Sequence, residues 1–216
     1  MIEFITLNSR EEWLEKRKSY IGGSDAGAVV GMNPYKTNVE LWEEKTGRKE
    51  PEDISEKDFV KYGTEAEKFL RELFKMDFPE YEVGYKENNM FLNSKYPFAH
   101  ASLDGWLKDK DGRMGVLEIK TTNIMQSAQK EKWKDRVPDS YFCQLLHCMA
   151  VTGFDFAVLK SQQKYNHNGD IFLVTKHYHF ERFELQQDID YLMQKEKEIA
   201  EYIKNDKEPA LILPNF

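Results

Sequence analysis

The hydrophobic pattern predicts one clear amphipathic helix in the first half of the chain. From Tyr62 to Lys75 the apolar residues recur at intervals of three and four, which places them on one helical face. Two shorter helices are predicted before it, one from Ser9 to about Arg17 and one across "NVELWEEKTGR" that ends at Gly47. A further helix of small residues is predicted to begin at Ser24 in "IGGSDAG", with the serine as its N-cap.

The pattern then changes to strands. From "YEVGYKENNMFLN" to "GVLEIKTTN", short runs of Tyr, Phe, Val, Ile and Leu alternate with turn-forming residues, which is typical of an antiparallel meander. After Pro138, "SYFCQLLHCMAVTG" predicts a mostly buried helix, and "DFAVLKSQQ" and "DIFLVTKHYHF" predict two strands joined by the turn "NHNGD". Apolar residues from Leu185 to Ile203 predict a long terminal helix. This order predicts the α+β class, a mixed α/β plan in which a central mixed β-sheet is flanked by helices.

The composition is compatible with one globular unit. A chain of 216 residues, of which 40% are apolar, can bury one substantial core, so a single domain spanning residues 1–216 is expected. No apolar run approaches the roughly 20 residues of a bilayer span, and the first residues do not resemble a signal peptide, so a cytoplasmic protein without membrane association is expected. Cys143 and Cys148 are expected to be buried, reduced thiols. The net charge of −7 disfavours a nonspecific nucleic-acid coat but allows local basic patches.

The segment "LEIKTTN" carries the candidate chemistry. Residues two apart on a strand share a face, so Glu118 and Lys120 point together while Leu117 and Ile119 point into the core. By itself such a pair is most often a solvated ion pair on a sheet surface. Upstream, Asp104 stands near a strand end and the turn "DKDGR" follows it, so a hairpin would return the chain and place Asp104 beside Glu118.

Two carboxylates held close together predict a cation site. They repel each other unless a cation or a proton lies between them. Mg²⁺ suits the pair formed by Asp104 and Glu118, because it takes oxygen ligands and commonly only one or two protein carboxylates, and the carbonyl of Ile119 is a candidate third ligand. Lys120 could then orient a metal-bound water, abstract its proton or stabilise charge on an attacked phosphate, and the sequence leaves these three roles open.

Five segments in this order resemble a known family. They are "RKSYIGGSDAGAVVGMNPYKTNVELWEEKTG", "YGTEAEKFL", "SLDGWL", "LEIKTT" and "VPDSYFCQLLHCMAVTG", and they extend from Arg17 to Gly153. This pattern resembles the YqaJ-type viral recombinase family, relatives of phage lambda exonuclease within the PD-(D/E)XK nuclease superfamily. The resemblance implies a restriction-endonuclease-like core, two Mg²⁺ ions with Mn²⁺ as a substitute, and digestion of double-stranded DNA from 5′ ends. It also implies a ring-shaped homotrimer that leaves a 3′ single strand for a single-strand annealing protein.

The resemblance also implies roles for individual residues. These are Asp104 and Glu118 as metal ligands, Lys120 as the catalytic lysine, Glu67 as a further acidic group near the metals, Gln144 as a group that positions water, lysine or DNA, and Arg17 and Ser24 as the site of the 5′-terminal phosphate. A serine at a helix N-terminus and an arginine with paired donors suit an anion. The alternatives are a plain cap for Ser24, a solvated helix residue for Glu67 and a structural hydrogen bond for Gln144. Leu146 stands where many relatives have a second glutamine.

The segment "QKEKWKDR" is a second candidate DNA contact. Trp133 and Lys134 could stack on bases and contact the DNA backbone, although a run of charges is usually only a solvated face. Lys36 is a further candidate phosphate contact. The five histidines match no common metal or nucleophile motif, and His147, on the same predicted helix as Gln144, is the one expected closest to the metals.

Three functions therefore compete. The first is a Mg²⁺-dependent 5′ to 3′ exonuclease, for which a pocket that accepts a free DNA end is required. The second is a PD-(D/E)XK endonuclease of repair or restriction type, which would also cut circular DNA. The third is a non-catalytic DNA-end-binding protein that keeps the fold, and the presence of Asp104, Glu118 and Lys120 together counts against it.

Overall fold

The computed structural model describes residues 1–214, and within that range the chain forms nine strands and seven helices. In chain order they are β1 (Ile2–Thr6), α1 (Arg10–Lys18), β2 (Ile21–Gly22), α2 (Gly23–Val29), α3 (Asn38–Lys45), α4 (Asp58–Asp77), β3 (Glu82–Gly84), β4 (Asn89–Asn93), β5 (Ala99–Ala101), β6 (Gly105–Lys108), β7 (Met114–Ile124), α5 (Ser127–Glu131), α6 (Asp139–Thr152), β8 (Phe156–His167), β9 (Asp170–Glu181) and α7 (Gln186–Lys204). None of the helices found in residues 1–214 is long and apolar enough to cross a membrane.

The strands form two mixed sheets, where the sequence predicted one central sheet. The first sheet has the order β1-β4-β5-β2 and the second has the order β3-β6-β7-β8-β9. In the second sheet β7 and β8 are parallel, because α5 and α6 lie between them in the chain, whereas β6–β7 and β8–β9 are antiparallel hairpins. The predicted meander is therefore divided: β4 and β5 pair within the first sheet, while β3 and β6 pair in the second.

Helix α4 covers one face of the second sheet. Leu70 and Phe74 pack there against Ile119 of β7 and Val158 of β8. The predicted helix is confirmed, but its apolar residues do not all face the sheet, since Phe69 is 67% exposed. The buried face is instead shared with a charged residue, Arg71, which is 5% exposed.

Helix α6 lies against the other face of the second sheet and also contacts β4 and β5 of the first sheet. Its buried residues join Leu159 of β8 and Ile189 of α7 in the main core. Cys143 and Cys148 lie on this helix, and both are buried, unbridged thiols in the described chain, as predicted. The helix ends at Gly153, which adopts the left-handed conformation that favours glycine.

The predicted helix boundaries are right for α1 and α3 and wrong for α2. The Ser9 hydroxyl accepts the Glu12 backbone N–H at 3.2 Å and caps α1 as expected. The N-cap of α2 is Gly22 rather than Ser24, and Ser24 lies inside the first turn. The Asp25 carboxylate accepts the Gly22 backbone N–H at 3.1 Å, which is the bond that the third residue of a helix makes back to its N-cap and which fixes the start of α2 at Gly23.

Candidate active site

The β6–β7 hairpin brings the three predicted acidic and basic side chains together. Gly105 pairs with Leu117, so Asp104, one residue before β6, lies opposite Glu118. The Asp104 carboxylate accepts the backbone N–H of Ile119 at 2.8 Å. The Lys120 ammonium donates a hydrogen bond to Glu118 Oε1 at 2.6 Å, as expected for two residues on one strand face. Asp104, Glu118 and Lys120 are therefore neighbours in the structure.

Glu118 is the most unusual carboxylate of this cluster. It is 1% exposed, and its Oε1 atom also accepts the side-chain amide of Gln144 at 2.6 Å. Its Oε2 atom is buried and has no hydrogen-bond partner among the residues that the structure describes. Burial, and then the neighbouring Asp104, raise the pKa of Glu118 to about 8. Burial therefore leaves the ionised carboxylate with a deficit of stabilising interactions that Lys120 does not fully offset.

The electrostatics of Lys120 are consistent with this deficit. Burial by itself lowers a lysine pKa, but Glu118 and Asp104 outweigh it and raise the pKa of Lys120 above its ordinary value. Its ammonium lies 5.1 Å from the ring centroid of Tyr141 on α6, a cation–π contact. Lys120 therefore carries its positive charge beside the two carboxylates.

The donor set fits a divalent cation that prefers oxygen ligands. Asp104 and Glu118 bring two carboxylates together, and the buried Oε2 atom of Glu118 has no partner among the described residues, while the Ile119 carbonyl as a third ligand stays a prediction. No group of three or more His, Cys, Asp or Glu side chains in residues 1–214 is arranged to hold a metal ion. Two carboxylates are nevertheless enough for Mg²⁺, which keeps several of its waters in protein sites.

Glu67 lies near this cluster but is already paired. It projects from α4, and its Oε1 atom accepts a hydrogen bond from Arg71 at 2.9 Å. Burial, and then the charge of Asp104, raise the pKa of Glu67 above its ordinary value. The structure thus places Glu67 within the electrostatic reach of Asp104, while its role as a metal ligand stays a prediction.

Arg71 is a positioning residue that the sequence analysis missed. Besides its bond to Glu67, its guanidinium donates to the backbone carbonyl of Asp104 and lies 3.4 Å from the ring centroid of Tyr85. It therefore links α4 to the turn that carries Asp104. Arg71 lies outside the predicted apolar stripe, and the signal in the sequence was its spacing of four residues from Glu67, which favours an ion pair on a helix.

Gln144 reaches Glu118 from α6, and α2 packs closely beside it. A Cβ atom added to Gly23 would lie 3.1 Å from Gln144 Cγ and 3.2 Å from Cys148 Sγ, so glycine permits the approach of the two helices. The amide of Gln144 and the ammonium of Lys120 both donate to the same oxygen, Glu118 Oε1. Together they fix the orientation of that carboxylate.

One pocket of about 510 Å³ contains both halves of the predicted site. Its lining includes Glu67, Asp104 and Gln144 together with Arg17 and Ser24. The Arg17 guanidinium donates to the Ser24 hydroxyl at 3.3 Å. The structure therefore places the predicted phosphate-binding pair in the same pocket as Asp104 and Glu67, while Glu118 lies behind the lining, next to Asp104 and Gln144.

Ser24 does not occupy the helix N-terminus that the sequence predicted for it. Because α2 has only seven residues and Ser24 is not its cap, the helix-terminus argument for anion binding does not apply. The available donors are the Ser24 hydroxyl and the Arg17 guanidinium, which lies 4.3 Å from the ring centroid of Trp13. Burial lowers the pKa of Arg17 from its ordinary value, but an arginine stays protonated at neutral pH.

Two further pocket residues were not found from the sequence. The Ser102 hydroxyl accepts the indole N–H of Trp13 at 3.0 Å, and Ser102 lines the pocket two residues before Asp104. Asn89 bonds both to the N–H and to the carbonyl of Leu103, each at 2.8 Å, and so holds the segment that leads to Asp104. The sequence does not indicate this role, because Leu103 lies 14 residues further along the chain, in the segment between β5 and β6.

The residues predicted to contact DNA outside this pocket have different environments. Trp133 is 3% exposed and packs against Tyr141 and Tyr178, so the expected stacking on bases is wrong and the ring belongs to the core. Lys134 is exposed, and its contact with DNA stays a prediction. Lys36 is paired with Glu44 at 2.5 Å, so part of its charge is already compensated.

His147 is not directed at the metal ligands. Its two ring nitrogens lie 2.8 Å from Glu196 and 2.8 Å from the backbone carbonyl of His100. Both partners are hydrogen-bond acceptors, so the ring carries a proton on each nitrogen when Glu196 is ionised. His147 is therefore a buried structural residue that joins α6 to α7 and β5.

The fold and the site define a protein of the PD-(D/E)XK class, with an acidic residue and an E-x-K strand brought together by one hairpin. The chain belongs to the YqaJ-like viral recombinase domain family, whose model matches residues 12–155. It is 32% identical over 166 residues to the uncharacterized protein YqaJ of Bacillus subtilis (strain 168), an alignment that covers 73% of this chain and 48% of that protein. The chain thus spans about half the length of that relative.

The fold is also similar to solved structures of an alkaline exonuclease. The crystal structure of LHK-Exo from Laribacter hongkongensis matches with a TM-score of 0.59 and 18% identity, over 91% of this chain and 97% of that chain. The crystal structure of LHK-Exo in complex with dAMP matches with a TM-score of 0.58 and 19% identity over the same shares. At these identities the similarity establishes the fold.

Proposed function

We propose that the protein is a Mg²⁺-dependent exonuclease that degrades linear double-stranded DNA in the 5′ to 3′ direction. The observation that carries the proposal is the buried Glu118, whose Oε2 atom has no partner within residues 1–214 and which lies beside Asp104 and Lys120. Membership of the YqaJ-like viral recombinase domain family and the exonuclease-like fold support the same activity.

In this proposal the two carboxylates hold the metal. Asp104, Glu118 and the carbonyl of Ile119 would bind Mg²⁺, and Glu67 would be the candidate ligand for a second ion, with Mn²⁺ as a substitute metal. Bound Mg²⁺ would activate a water and neutralise charge on the attacked phosphate. Lys120 and Gln144 hold Glu118 by its Oε1 atom, which leaves Oε2 for the cation. Lys120 also places an ammonium where charge develops on the phosphate.

The 5′ to 3′ direction of digestion would follow from the part of the pocket that contains Arg17 and Ser24. Arg17 and Ser24 would bind the phosphate at a free 5′ end, and their location in the same pocket as Asp104 would align the first phosphodiester bonds with the carboxylates. A site that needs a terminal phosphate cannot engage a closed circle. This feature favours the exonuclease over the endonuclease hypothesis.

We also propose a 3′ single-stranded product and a homotrimeric assembly. Digestion of one strand leaves a 3′ single strand, which is the substrate of a single-strand annealing protein. A ring-shaped homotrimer would keep the enzyme on its substrate. Sedimentation velocity of the purified protein, with and without duplex DNA, tests the trimer independently of the activity.

The central experiment compares linear and circular DNA. A linear duplex with a label at one end and a phosphate at either 5′ end, and a relaxed covalently closed circle, are incubated with Mg²⁺ or with EDTA. We expect release of mononucleotides from the phosphorylated 5′ end of the linear duplex, with Mg²⁺ only. The Lys120→Ala variant should be slower by at least about a hundredfold, the scale on which loss of one group that stabilises transition-state charge is felt.

The control variant is Lys195→Ala, which removes a half-buried lysine of α7 that forms an ion pair with Glu198 and a cation–π contact with Tyr191 and does not line the pocket. It should retain wild-type activity, because surface ion pairs contribute little. Cleavage of the circle would support the endonuclease hypothesis. Tight binding of DNA ends without cleavage, or wild-type activity in Lys120→Ala, would support the non-catalytic hypothesis.

A further inference from the structure

His100 on β5 is a buried polar residue that the proposed mechanism does not use. Its ring is 2% exposed and lines the pocket that contains Arg17 and Ser24. Neither ring nitrogen has a hydrogen-bond partner in the described part of the chain. Buried polar side chains in proteins are nearly always hydrogen-bonded. A buried imidazole with two unpaired nitrogens in a ligand-sized pocket therefore marks a place where a polar ligand group completes the bonding.

The backbone keeps this ring against the segment that leads to Ser24. His100 pairs with Gly22 in the parallel β2–β5 ladder, and a Cβ atom added to Gly22 would lie 2.9 Å from His100 Nε2. Only a glycine leaves room for the ring in this position. The edge of the ring packs against Tyr20 with a centroid distance of 6.1 Å. His100 pairs with Gly22, which lies two residues before Ser24, so the imidazole is held next to the segment that leads to Ser24.

The environment keeps the imidazole neutral. Burial, and then the charges of Arg17, His147 and Lys45, lower the pKa of His100 to about 3, and Asp25 opposes them only in part. A neutral imidazole has one N–H donor and one acceptor nitrogen. The neutral ring can therefore donate a hydrogen bond to an anionic oxygen, while Arg17 supplies the positive charge that neutralises the anion.

We propose that His100 is a third member of the 5′-phosphate site, donating a ring N–H to the terminal phosphate held by Arg17 and Ser24. The inference rests on the proposed function, which assigns this pocket to a DNA end. A terminal phosphate monoester has three free oxygens, while an internal diester has two, so a third donor distinguishes the two groups. His100 thereby sets the preference of the protein for phosphorylated 5′ ends.

The test measures binding without cleavage. Fluorescence anisotropy in EDTA compares two duplexes that differ only in a 5′-phosphate or a 5′-hydroxyl, with wild type and His100→Phe. Phenylalanine retains a ring for packing and removes both hydrogen-bonding nitrogens. We expect the variant to bind the phosphorylated duplex about tenfold more weakly, the scale of one hydrogen bond to a charged group, and to bind the hydroxyl duplex as wild type does.

Two other variants make the result specific. His100→Asn keeps an N–H donor and should retain most of the preference for the phosphate. His177→Phe is the matched control, because His177 also has an unpartnered buried Nε2 atom, as far as the described residues show, but packs between Phe74 and Phe78 outside this pocket. It should bind both duplexes as wild type does, and thermal unfolding confirms that each variant is folded.

The outcomes separate this inference from the proposed function. An unchanged preference in His100→Phe, or equal binding of the two duplexes by wild type, would overturn the role of His100 even if the protein cuts DNA. A failure of wild type to cut linear DNA with Mg²⁺ would refute the nuclease proposal. A preference for the phosphate that depends on His100 in EDTA would support the inference in either case.

Discussion

At the scale of single residues, two buried glutamates illustrate opposite uses of a carboxylate. Glu118 is 1% exposed and Glu196 is 0% exposed, and in both the Oε2 atom has no partner within residues 1–214. Glu196 is compensated by His147 at 2.8 Å, whereas Glu118 lies beside a second carboxylate, Asp104. One carboxylate therefore holds the fold together, and the other is costly to the fold and available for binding a cation.

This contrast predicts that Glu118→Gln and Glu196→Gln change stability in opposite directions. In metal-free protein at pH 7, Glu118→Gln should raise the Tm by about 2–4 °C, the change that corresponds to about 1 kcal/mol in a chain of this size, because the wild-type carboxyl, with its pKa of about 8, must take up a proton on folding and the neutral amide avoids that cost. It should also abolish cleavage. Glu196→Gln should lower the Tm, because His147 loses its anion. Calorimetry in EDTA measures both, and a Tm that falls in both variants would contradict the prediction.

His147 predicts a dependence of stability on pH. Burial lowers its pKa, but Glu196 and the backbone carbonyl of His100, with Asp25 further away, raise the pKa of His147 above the ordinary value of 6.5. The protonated ring then binds its proton more tightly in the folded state. The resulting stability is fully present below about pH 6.5, the unfolded value, and is lost as the pH rises through the folded value.

Thermal unfolding of wild type and His147→Gln from pH 5 to 9 measures this effect. We expect the Tm difference between wild type and variant to be largest below pH 6.5 and to shrink as the pH rises. The reference variant is His177→Phe. Burial lowers the pKa of His177, so the dependence of the Tm difference on pH should have the opposite sign. A constant Tm difference for His147→Gln across the range would show that the ring is neutral in the fold.

At the scale of elements, the site depends on how α4 meets the β6–β7 hairpin. Arg71 extends from the buried face of the helix and bonds both Glu67 and the backbone carbonyl of Asp104. It thus ties one turn of the helix to the residue that precedes β6. The same helix approaches β7 closely at Gly63, where a Cβ atom would lie 3.1 Å from Thr121 Oγ1.

Arg71→Leu should therefore lower both stability and activity. We expect a loss of about 2 kcal/mol in the free energy of unfolding, below the value for a fully buried pair because the Glu67 side chain is 29% exposed. Cleavage should fall at least about tenfold, since Asp104 is no longer held in place. Lys75→Leu, on an exposed part of the same helix, should change stability by less than about 0.5 kcal/mol. Equal losses in the two variants would contradict the role of Arg71.

At the scale of the whole molecule, the charge distribution limits where DNA can bind. The chain has a net charge of −7, so a duplex is repelled by most of the surface and must be held by local positive groups. Four basic residues line the pocket of the candidate active site, and these are Arg10, Arg17, Lys68 and Arg71. DNA binding should therefore depend on a few contacts near this pocket.

The salt dependence of binding tests this distribution. Each phosphate contact contributes about −0.9 to the slope of log K against log salt concentration. In EDTA, Lys68→Ala should make this slope less negative by about one contact, and Lys195→Ala on α7 should leave it unchanged. A slope that changes equally in both variants would indicate diffuse binding over the surface.

The sequence by itself determined the elements and the central chemistry. Periods of two and of three to four residues identified most strands and helices, because side-chain direction follows directly from backbone geometry. The turn after Asp104 and the alternation in "LEIKTTN" predicted that Asp104, Glu118 and Lys120 meet, since all three belong to one local hairpin. The family resemblance, carried by short ordered motifs, was confirmed by the family model that matches residues 12–155.

Only the tertiary structure decided which faces are covered and which distant residues meet. It divided the strands into two sheets, buried Trp133, exposed Phe69, and brought Arg71 and His100 into the pocket beside Asp104. Each of these outcomes depends on contacts between segments far apart in the chain, and local periodicity contains no information about them. Burial of Glu118 belongs to the same group, because strand alternation fixes the direction of its side chain but packing by α6 decides whether water reaches it.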